Sequence, residues 1–595
     1  MKKRTITFLA IIGLLISCND FMEPYPNGGY TTDNIWDYQE MAQGLIVECY
    51  TYMSTNYNNT EGAYLDGATD NAVITNTSNA IRRMAVGALP TSSDPFLDYW
   101  TRDYDGIYLT NLFLKDSKGY NTRYLVDDYK NNLVRKQLQG EAFALRAWFL
   151  WDLLQKFGGK GVNGEMLGVP ILLEPVDIED AKQLERNSYD ECVKQIIADC
   201  DSAYKYLPVA HRDFLVTNET DKAYAGSRYW GRFDGITTRA IKANVYLTWA
   251  SPRFNPNNDM SRWDLAAKYA KEVMDFKQNV DNVTNGFNKT TGVNWFNPNF
   301  PGIVFASRYN NANDAMERMF YPGGFQGNGT MGATHDLVDA FPMSNGYPKE
   351  HPEGAALYDP QDPYKNRDPR FYSVIFYNQA QAKRNNTGAA MYTFENWEEG
   401  KDAPGPITNS RTNYQIKKFV FMGLNWSDNS LNRQPHSKFF IRWAHMCLAF
   451  AEAANQVAGP TDASKYGLSA KEAISYLRAR KTYDNNNGFV TDPYLDEVAA
   501  AGKEVFNEFV KNERRLETCF EGMRFFDMRR WSTSLEELNK PVHMMKITRE
   551  SENVFQYTPQ VVESRIYKSA YLPIPYREML RMGNLIQNEG WDSWK

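Results

Sequence analysis

Apolar residues recur every three or four positions from Asp127 to Gly159, and the rest of the chain can be ordered around that stretch. Val134, Leu138, Ala142, Leu145, Phe149, Leu153 and Phe157 form one stripe along a helix. Phe143, Ala147, Leu150, Trp151 and Leu154 form a second, so neighbours bury this helix on two sides. At ~1.5 Å per residue it runs roughly 45 Å, enough to brace a domain. Gly158-Gly159 can take the left-handed turn that ends helices. Arg146, set among apolar residues, requires a carboxylate from another helix, because Glu141 is poorly phased for it. The stretch reads as scaffold.

Thr31-Thr32-Asp33 offers capping oxygens before Ile35, Trp36, Met41, Leu45 and Tyr50, a first helix to about Met53. From Asn56 to Pro95 the pattern dissolves into a long irregular surface segment carrying Asp66 to Asp70 and Arg82-Arg83. Loops of that length in compact domains are usually functional or disordered. Helical spacing returns from Trp100 to Phe113, then at about Ser188–Leu207, Gly231–Ser251 and Trp263–Phe276. It lapses from Lys277 to Pro435, apart from Thr334 to Phe341, and resumes at Ile441–Val457, Ser469–Arg480, Lys503–Glu517 and Met523–Trp531. Repeated helix pairs predict a mostly α fold, a tetratricopeptide-like helical-repeat scaffold with long irregular loops forming a ligand-binding subdomain. The expected division is an N-terminal helical region at 31–276, a loop-rich ligand-binding insert at 277–436 and a C-terminal helical region at 437–595.

Ahead of the helices, Lys2-Lys3-Arg4 and the apolar run Ile6 to Ile16 make a secretory signal too short to span a bilayer. Leu15-Ile16-Ser17-Cys18 resembles a bacterial lipoprotein box, with 1–17 as the signal and Cys18 as the lipid-modified first residue. An ordinary signal with an incidental cysteine is the alternative. Residues 18–30 then form a tether, and several acyl chains would hold it firmly to a membrane.

A net charge of -6 over 595 residues argues against nucleic acid as a partner. Cys192 and Cys200 sit about 12 Å apart along one helix, too far to bridge, and Cys49, Cys447 and Cys519 also fall in amphipathic stretches, so buried free thiols are expected. Neither CxxC nor HExxH occurs and no cofactor is implied; acidic loops leave room for a structural calcium ion, although no EF-hand loop is present. The sequence lacks a GxSxG elbow and a Walker loop. Gly327-Asn328-Gly329-Thr330-Met331-Gly332 satisfies GxGxxG, but Phe320 to Phe325 precedes it in place of a buried strand, so it reads as a flexible glycine loop. Asp103/Asp105 and Glu398/Glu399 could serve a glycosidase, which needs two carboxyls roughly 5–10 Å apart. Among 72 acidic residues such pairs arise by chance, and charged loop surface is the better reading. No catalytic residue is assigned.

Aromatic residues are abundant, at 14%, and many lie in or beside the irregular regions: Trp100, Tyr229, Trp230, Trp295, Phe296, Tyr309, Tyr321, Phe325 and Trp397. Sugar rings pack their C–H faces on an aromatic plane while Asn, Asp and Arg bond the hydroxyls. Trp100, Trp295 and Phe325 are therefore the candidate stacking residues, with Arg82, Asp70 and Asn328 as polar contacts.

Glu141-Ala142-Phe143-Ala144-Leu145-Arg146-Ala147-Trp148 through Phe157-Gly158-Gly159, then Gly168-Val169-Pro170, resembles the signature of the SusD/RagB family. Similar blocks follow in the family's order: Gly231-Arg232 with Ala240 to Leu247, Asp368-Pro369-Arg370-Phe371, Arg442-Trp443 with Ala451-Glu452-Ala453, Asn512 to Glu517 with Phe520 to Arg524, Leu572 to Pro575 and Gln587 to Gly590. His445 and Glu589 depart from the pattern, which there carries an acidic residue and a proline. The charged residues Glu513, Arg514, Arg515, Glu517, Glu521 and Arg524 read as ion-paired helix contacts one turn apart. The resemblance implies a surface-exposed, lipid-anchored outer-membrane protein, not an enzyme. It implies capture of an oligosaccharide in loops above a helical frame and delivery to a SusC-like TonB-dependent transporter. A peptide-binding RagB-like protein on the same scaffold, a secreted all-α glycoside hydrolase or lyase, and a purely architectural surface protein are the alternatives.

Overall fold

Helix makes up 47% of the chain in the computed structural model, which describes residues 34–53, 65–91, 93–281, 293–297, 300–307, 311–383, 391–405, 408–425, 432–480, 487–489 and 491–594. The signal, the tether, Cys18 and the Thr31 to Asp33 capping residues lie outside the described residues. The principal helices are α1 (Gln39–Tyr52), α2 (Leu97–Leu114), α3 (Asp128–Phe157), α4 (Tyr189–Tyr206), α5 (Gly235–Ala250), α6 (Met260–Asn279), α7 (His335–Ala340), α8 (Trp443–Ala458), α9 (Ala470–Arg478), α10 (Pro493–Ala500), α11 (Lys503–Glu517) and α12 (Met523–Trp531). From α1 to α6 each helix packs on the next, α8 packs on α6 and α9 on α8. This series is the tetratricopeptide-like frame.

Local chemistry sets the ends. The Asp127 carboxylate accepts from the Lys130 amide to start α3, and Ser188–Glu191 and Ser469–Glu472 form capping boxes on α4 and α9. Along α3 both apolar stripes are largely buried, and Arg146 finds its carboxylate on α4, donating to Asp199 at 2.6 and 2.9 Å and to Asn111 at 3.0 Å. Gly158 ends α3 differently from the expected left-handed turn, since its backbone is extended (φ -66°, ψ 136°). Glycine is required there by space: a Cβ would lie 2.6 Å from the Leu154 carbonyl and 2.8 Å from the Tyr189 ring.

The stretch expected as irregular surface is partly core. Asp66, Ala68, Thr69 and Asn71 are fully buried, and β1 (Ala72–Ile74) pairs antiparallel with β3 (Met331–Ala333). Asp66 is held there because its carboxylate accepts from Asn71 Nδ2 and from the Phe520 and Gly522 amides of the turn before α12. The GxGxxG segment likewise is no flexible loop at its end: Gly332 lies in β3, where a Cβ would sit 1.7 Å from Ser410 Oγ. A second pairing joins β2 (Ile303–Ala306) to β4 (Phe439–Arg442), so the 277–436 segment is stitched to the start of α8. The sequence reading missed α10 and the long hairpin β5 (Pro541–Ser551) with β6 (Val554–Ser564).

Glu513, Glu517 and Glu521, expected to pair one turn apart, instead pair across the chain. Glu513 meets Arg370 and Arg478, Glu517 meets Arg442 (3.1 Å) and Arg480 (2.5 Å), and Glu521 meets Arg442 (2.6 Å), Lys418 (2.7 Å) and His445 (3.0 Å). Burial alone would push Glu517 up, yet Arg480 and Arg442 hold it at about 2. Cys49, Cys192, Cys200, Cys447 and Cys519 are buried and free, as expected; burial pushes the Cys192 thiol up to about 12.

Candidate functional site

One helix, α12, separates two concave surfaces. Met523, Phe526, Asp527 and Arg530 face a cleft shared with α3, α5 and β4. Arg524, Met528 and Trp531 face a groove shared with α11 and the segment leading into β5. The spacing follows from the α-helical repeat, in which positions three and four apart share a side.

The cleft holds about 100 Å³ and is lined by aromatic rings from three elements: Trp148 and Trp151 of α3, Phe439 and Phe440 of β4, and Phe526. Trp148 is half-buried and rests edgewise against Phe440 (5.3 Å, 74°) and Phe305 (6.0 Å, 69°). Gln155, Asn244 and Thr248, each half-exposed, bring amide and hydroxyl groups to the same wall. Rings with a few convergent polar groups are the make-up of small-ligand sites. The carboxylates here are engaged. Asp152 binds Lys156 and Arg102, while Asp527 accepts from Arg514 (2.7 Å) and Arg530 (2.9 Å). Against the effect of burial, those guanidinium partners keep Asp527 below the usual carboxylate range.

The groove is larger, about 330 Å³, and polar. Asp70 receives Arg524 through Nε (2.9 Å) and Nη2 (2.8 Å), and Arg515 lies 3.2 Å from the same carboxylate. Burial opposes ionisation of Asp70, but the two guanidiniums hold it far below its ordinary value.

The structure does not assemble the expected stacking platform. Trp100 is 3% exposed and packs on Tyr104 and Phe157; Trp295 is 5% exposed between Phe439 and Phe419; Phe325 is 1% exposed against Tyr321 and Tyr392. Tyr229, Tyr321 and Trp397 are buried too, and Tyr309 lies outside the described residues. Large rings carry much apolar area, and the core claims them even beside irregular backbone. Arg82 is committed to Glu563 at 2.5 Å, Asn328 is exposed, and Asp70 alone of the six lines the groove. The acidic pairs divide as well. Asp103 is buried inside α2, not on loop surface, and Asp105 points outward; Glu398 is exposed and bound to Lys546 at 3.0 Å. Burial, then Asp152, raise Asp103 well above the usual carboxylate range. Among the described residues no group of three or more His, Cys, Asp or Glu is placed to hold a metal ion, and no helix is long and apolar enough to cross a membrane.

The residues that sequence reasoning missed left a faint signal. Trp148 and Gln155 lie seven apart on α3, and Asn244 and Thr248 four apart on the largely apolar α5. A polar pair at helical spacing on a buried element marks a side that faces something other than core.

Comparison with known proteins bears on the whole chain. Residues 301–591 match the model of the SusD family, and residues 20–228 match a model described as starch-binding, associating with the outer membrane. The chain is similar to SusD-like protein P38 of Formosa agariphila, 23% identical over 552 residues, 90% of this chain and 92% of the relative. It is similar to SusD-like protein P2 of the same organism, 23% identical over 602 residues and 99% of each. Its fold is similar to that of a SusD-like protein from Bacteroides fragilis, with a TM-score of 0.67, 20% identity and coverage of 94% of this chain and 98% of that one. A SusD-like carbohydrate-binding protein from the same organism superposes equally well, with a TM-score of 0.67, 18% identity and coverage of 93% and 99%.

Proposed function

We propose that this chain, which belongs to the SusD family, captures an oligosaccharide at the cell surface in the cleft between α3, α5 and α12. Membership of that carbohydrate-binding family supports glycan binding, and the cleft supports the place. Half-buried Trp148 and Phe526 offer ring faces beside the amides of Gln155 and Asn244. That juxtaposition carries the reading. Lipid on Cys18 would hold the protein to the outer membrane, and a SusC-like TonB-dependent transporter would receive the ligand. The carboxylates of the cleft, bound in ion pairs, favour holding a sugar over cleaving it.

Affinity electrophoresis against a panel of neutral plant, host and microbial glycans tests the site. Trp148→Ala should lower retention on the bound glycan about five- to thirtyfold, since one stacked ring contributes on the order of 1–2 kcal/mol. Unchanged retention would remove the cleft from the site, and retention of peptides in place of glycans would favour the peptide-binding alternative. Release of reducing sugar by the purified protein would end the non-enzymatic reading.

A further inference from the structure

The groove on the other side of α12 carries more positive charge than its own residues neutralise. Asp70 is one carboxylate set against two guanidiniums. Arg515 gives its Nε to the neutral Asn71 Oδ1 (2.8 Å) and its Nη2 to the Asp70 backbone carbonyl (3.0 Å). Arg524 uses Nε and Nη2 on Asp70, so Nη1 of both arginines has no hydrogen-bond partner among the described residues. Lys540 is exposed at the rim and makes no ion pair among the described residues. Of the acids nearby, Glu508 is spent on Lys511 at 2.7 Å, while Glu537 accepts from the neutral Thr533 and Ser534 and keeps its charge, so Asp70 and Glu537 stand against Arg515, Arg524 and Lys540, one positive charge in excess. Burial pushes the Arg515 guanidinium down, whereas Asp70 outweighs burial at Arg524 and raises it. Trp531 stands in the wall with its indole N–H held by Glu452 at 2.7 Å, which fixes the ring half-buried beside the opening.

We propose that this groove binds an anionic group carried on a sugar ring, a uronate carboxylate or a sulfate ester, between Arg515, Arg524 and Lys540. Guanidinium forks bond either anion through paired N–H donors, and 330 Å³ leaves room for the ring against Trp531. The sugar ring rests on the glycan reading above; the anion does not.

Titration calorimetry at low and high salt, with an oligouronate, a sulfated oligosaccharide, a neutral oligosaccharide and inorganic sulfate, tests it. At low salt one acidic oligosaccharide should bind about tenfold tighter than the neutral one, with the difference shrinking at high salt. The arm that binds decides between carboxylate and sulfate. Lys540→Glu, an exposed change that leaves the fold alone, should weaken the acidic ligand about fivefold and spare the neutral one. Arg524→Gln should weaken it further, with its melting temperature measured alongside. Equal affinity for acidic and neutral ligands, or acidic binding indifferent to Lys540→Glu, overturns the proposal. Inorganic sulfate binding with neither acidic oligosaccharide removes the sugar from it. Loss of neutral binding in Trp148→Ala with acidic binding intact separates this groove from the cleft.

Discussion

The two sides of α12 use similar residue types to opposite effect. Toward the cleft, Asp527 lies between Arg514 and Arg530, and Arg530 also meets both oxygens of Glu452 at 2.5 and 2.6 Å. Those charges neutralise one another, and what remains open is ring and amide. Toward the groove, Arg515 and Arg524 share a single Asp70, and the opening stays cationic. On one nine-residue helix, the completeness of the counter-charge separates a surface suited to neutral hydroxyls from one suited to anions.

The largest way to break this contrast is at Arg530. Replacing it with Ala leaves Glu452 buried without its guanidinium, a loss on the order of 3–5 kcal/mol. Denaturant unfolding should read that loss, and both the cleft and the groove should lose ligand together because α12 is anchored through this residue. A cost below about 1 kcal/mol would mean that α12 is held by packing alone.

Acid should act next, and in two stages. His445 is buried, its Nδ1 accepting the Arg442 backbone amide at 3.3 Å and its Nε2–H donating to Glu521 at 3.0 Å. Burial lowers its pKa from 6.5 to about 4. The unfolded chain therefore takes up that proton before the folded one does. Stability present above pH 6.5 falls as the pH drops toward 4. Glu517, lowered from 4.5 to about 2, contributes above pH 4.5 and is lost as the pH falls through 2. Melting temperature should decline in both windows, and His445→Gln should lessen the first, to which buried His211 also contributes, while leaving the second. A curve level from pH 6.5 to 4 in the native protein would contradict a neutral, buried His445.

These residues show where the sequence speaks plainly. Apolar spacing named α11 and α12 to the residue and found the frame of long helices, because a helix reports its buried side every third or fourth position. The need of Arg146 for a distant carboxylate was legible for a related reason: a charge in an apolar stripe has few alternatives. Pairing between remote segments was not. Asp66 sits in a stretch of Asn, Thr and Gly that reads as solvent-exposed, and only the Phe520–Gly522 turn explains its burial. Exposure of single rings failed similarly. Trp100, Trp295 and Phe325 border irregular backbone in sequence but fill gaps between elements in space. The rings that line the cleft, Trp148 and Phe526, belong to regular helices and not to the irregular segments where contacts were expected.

The smallest expected effect sharpens the contrast most cleanly. Gln155→Leu and Asn244→Leu each put a branched apolar side chain in place of a partly exposed one and remove one amide from the cleft wall. Stability should move within about 0.5 kcal/mol. If hydroxyls of a neutral sugar are read there, each substitution should weaken retention about fivefold, the worth of one hydrogen bond at ~1 kcal/mol. An acidic ligand held in the groove should be indifferent to both. Equal weakening of neutral and acidic ligands would mean that one glycan spans α12, occupying the cleft with its rings and the groove with its charge, and the two surfaces would then be halves of one site.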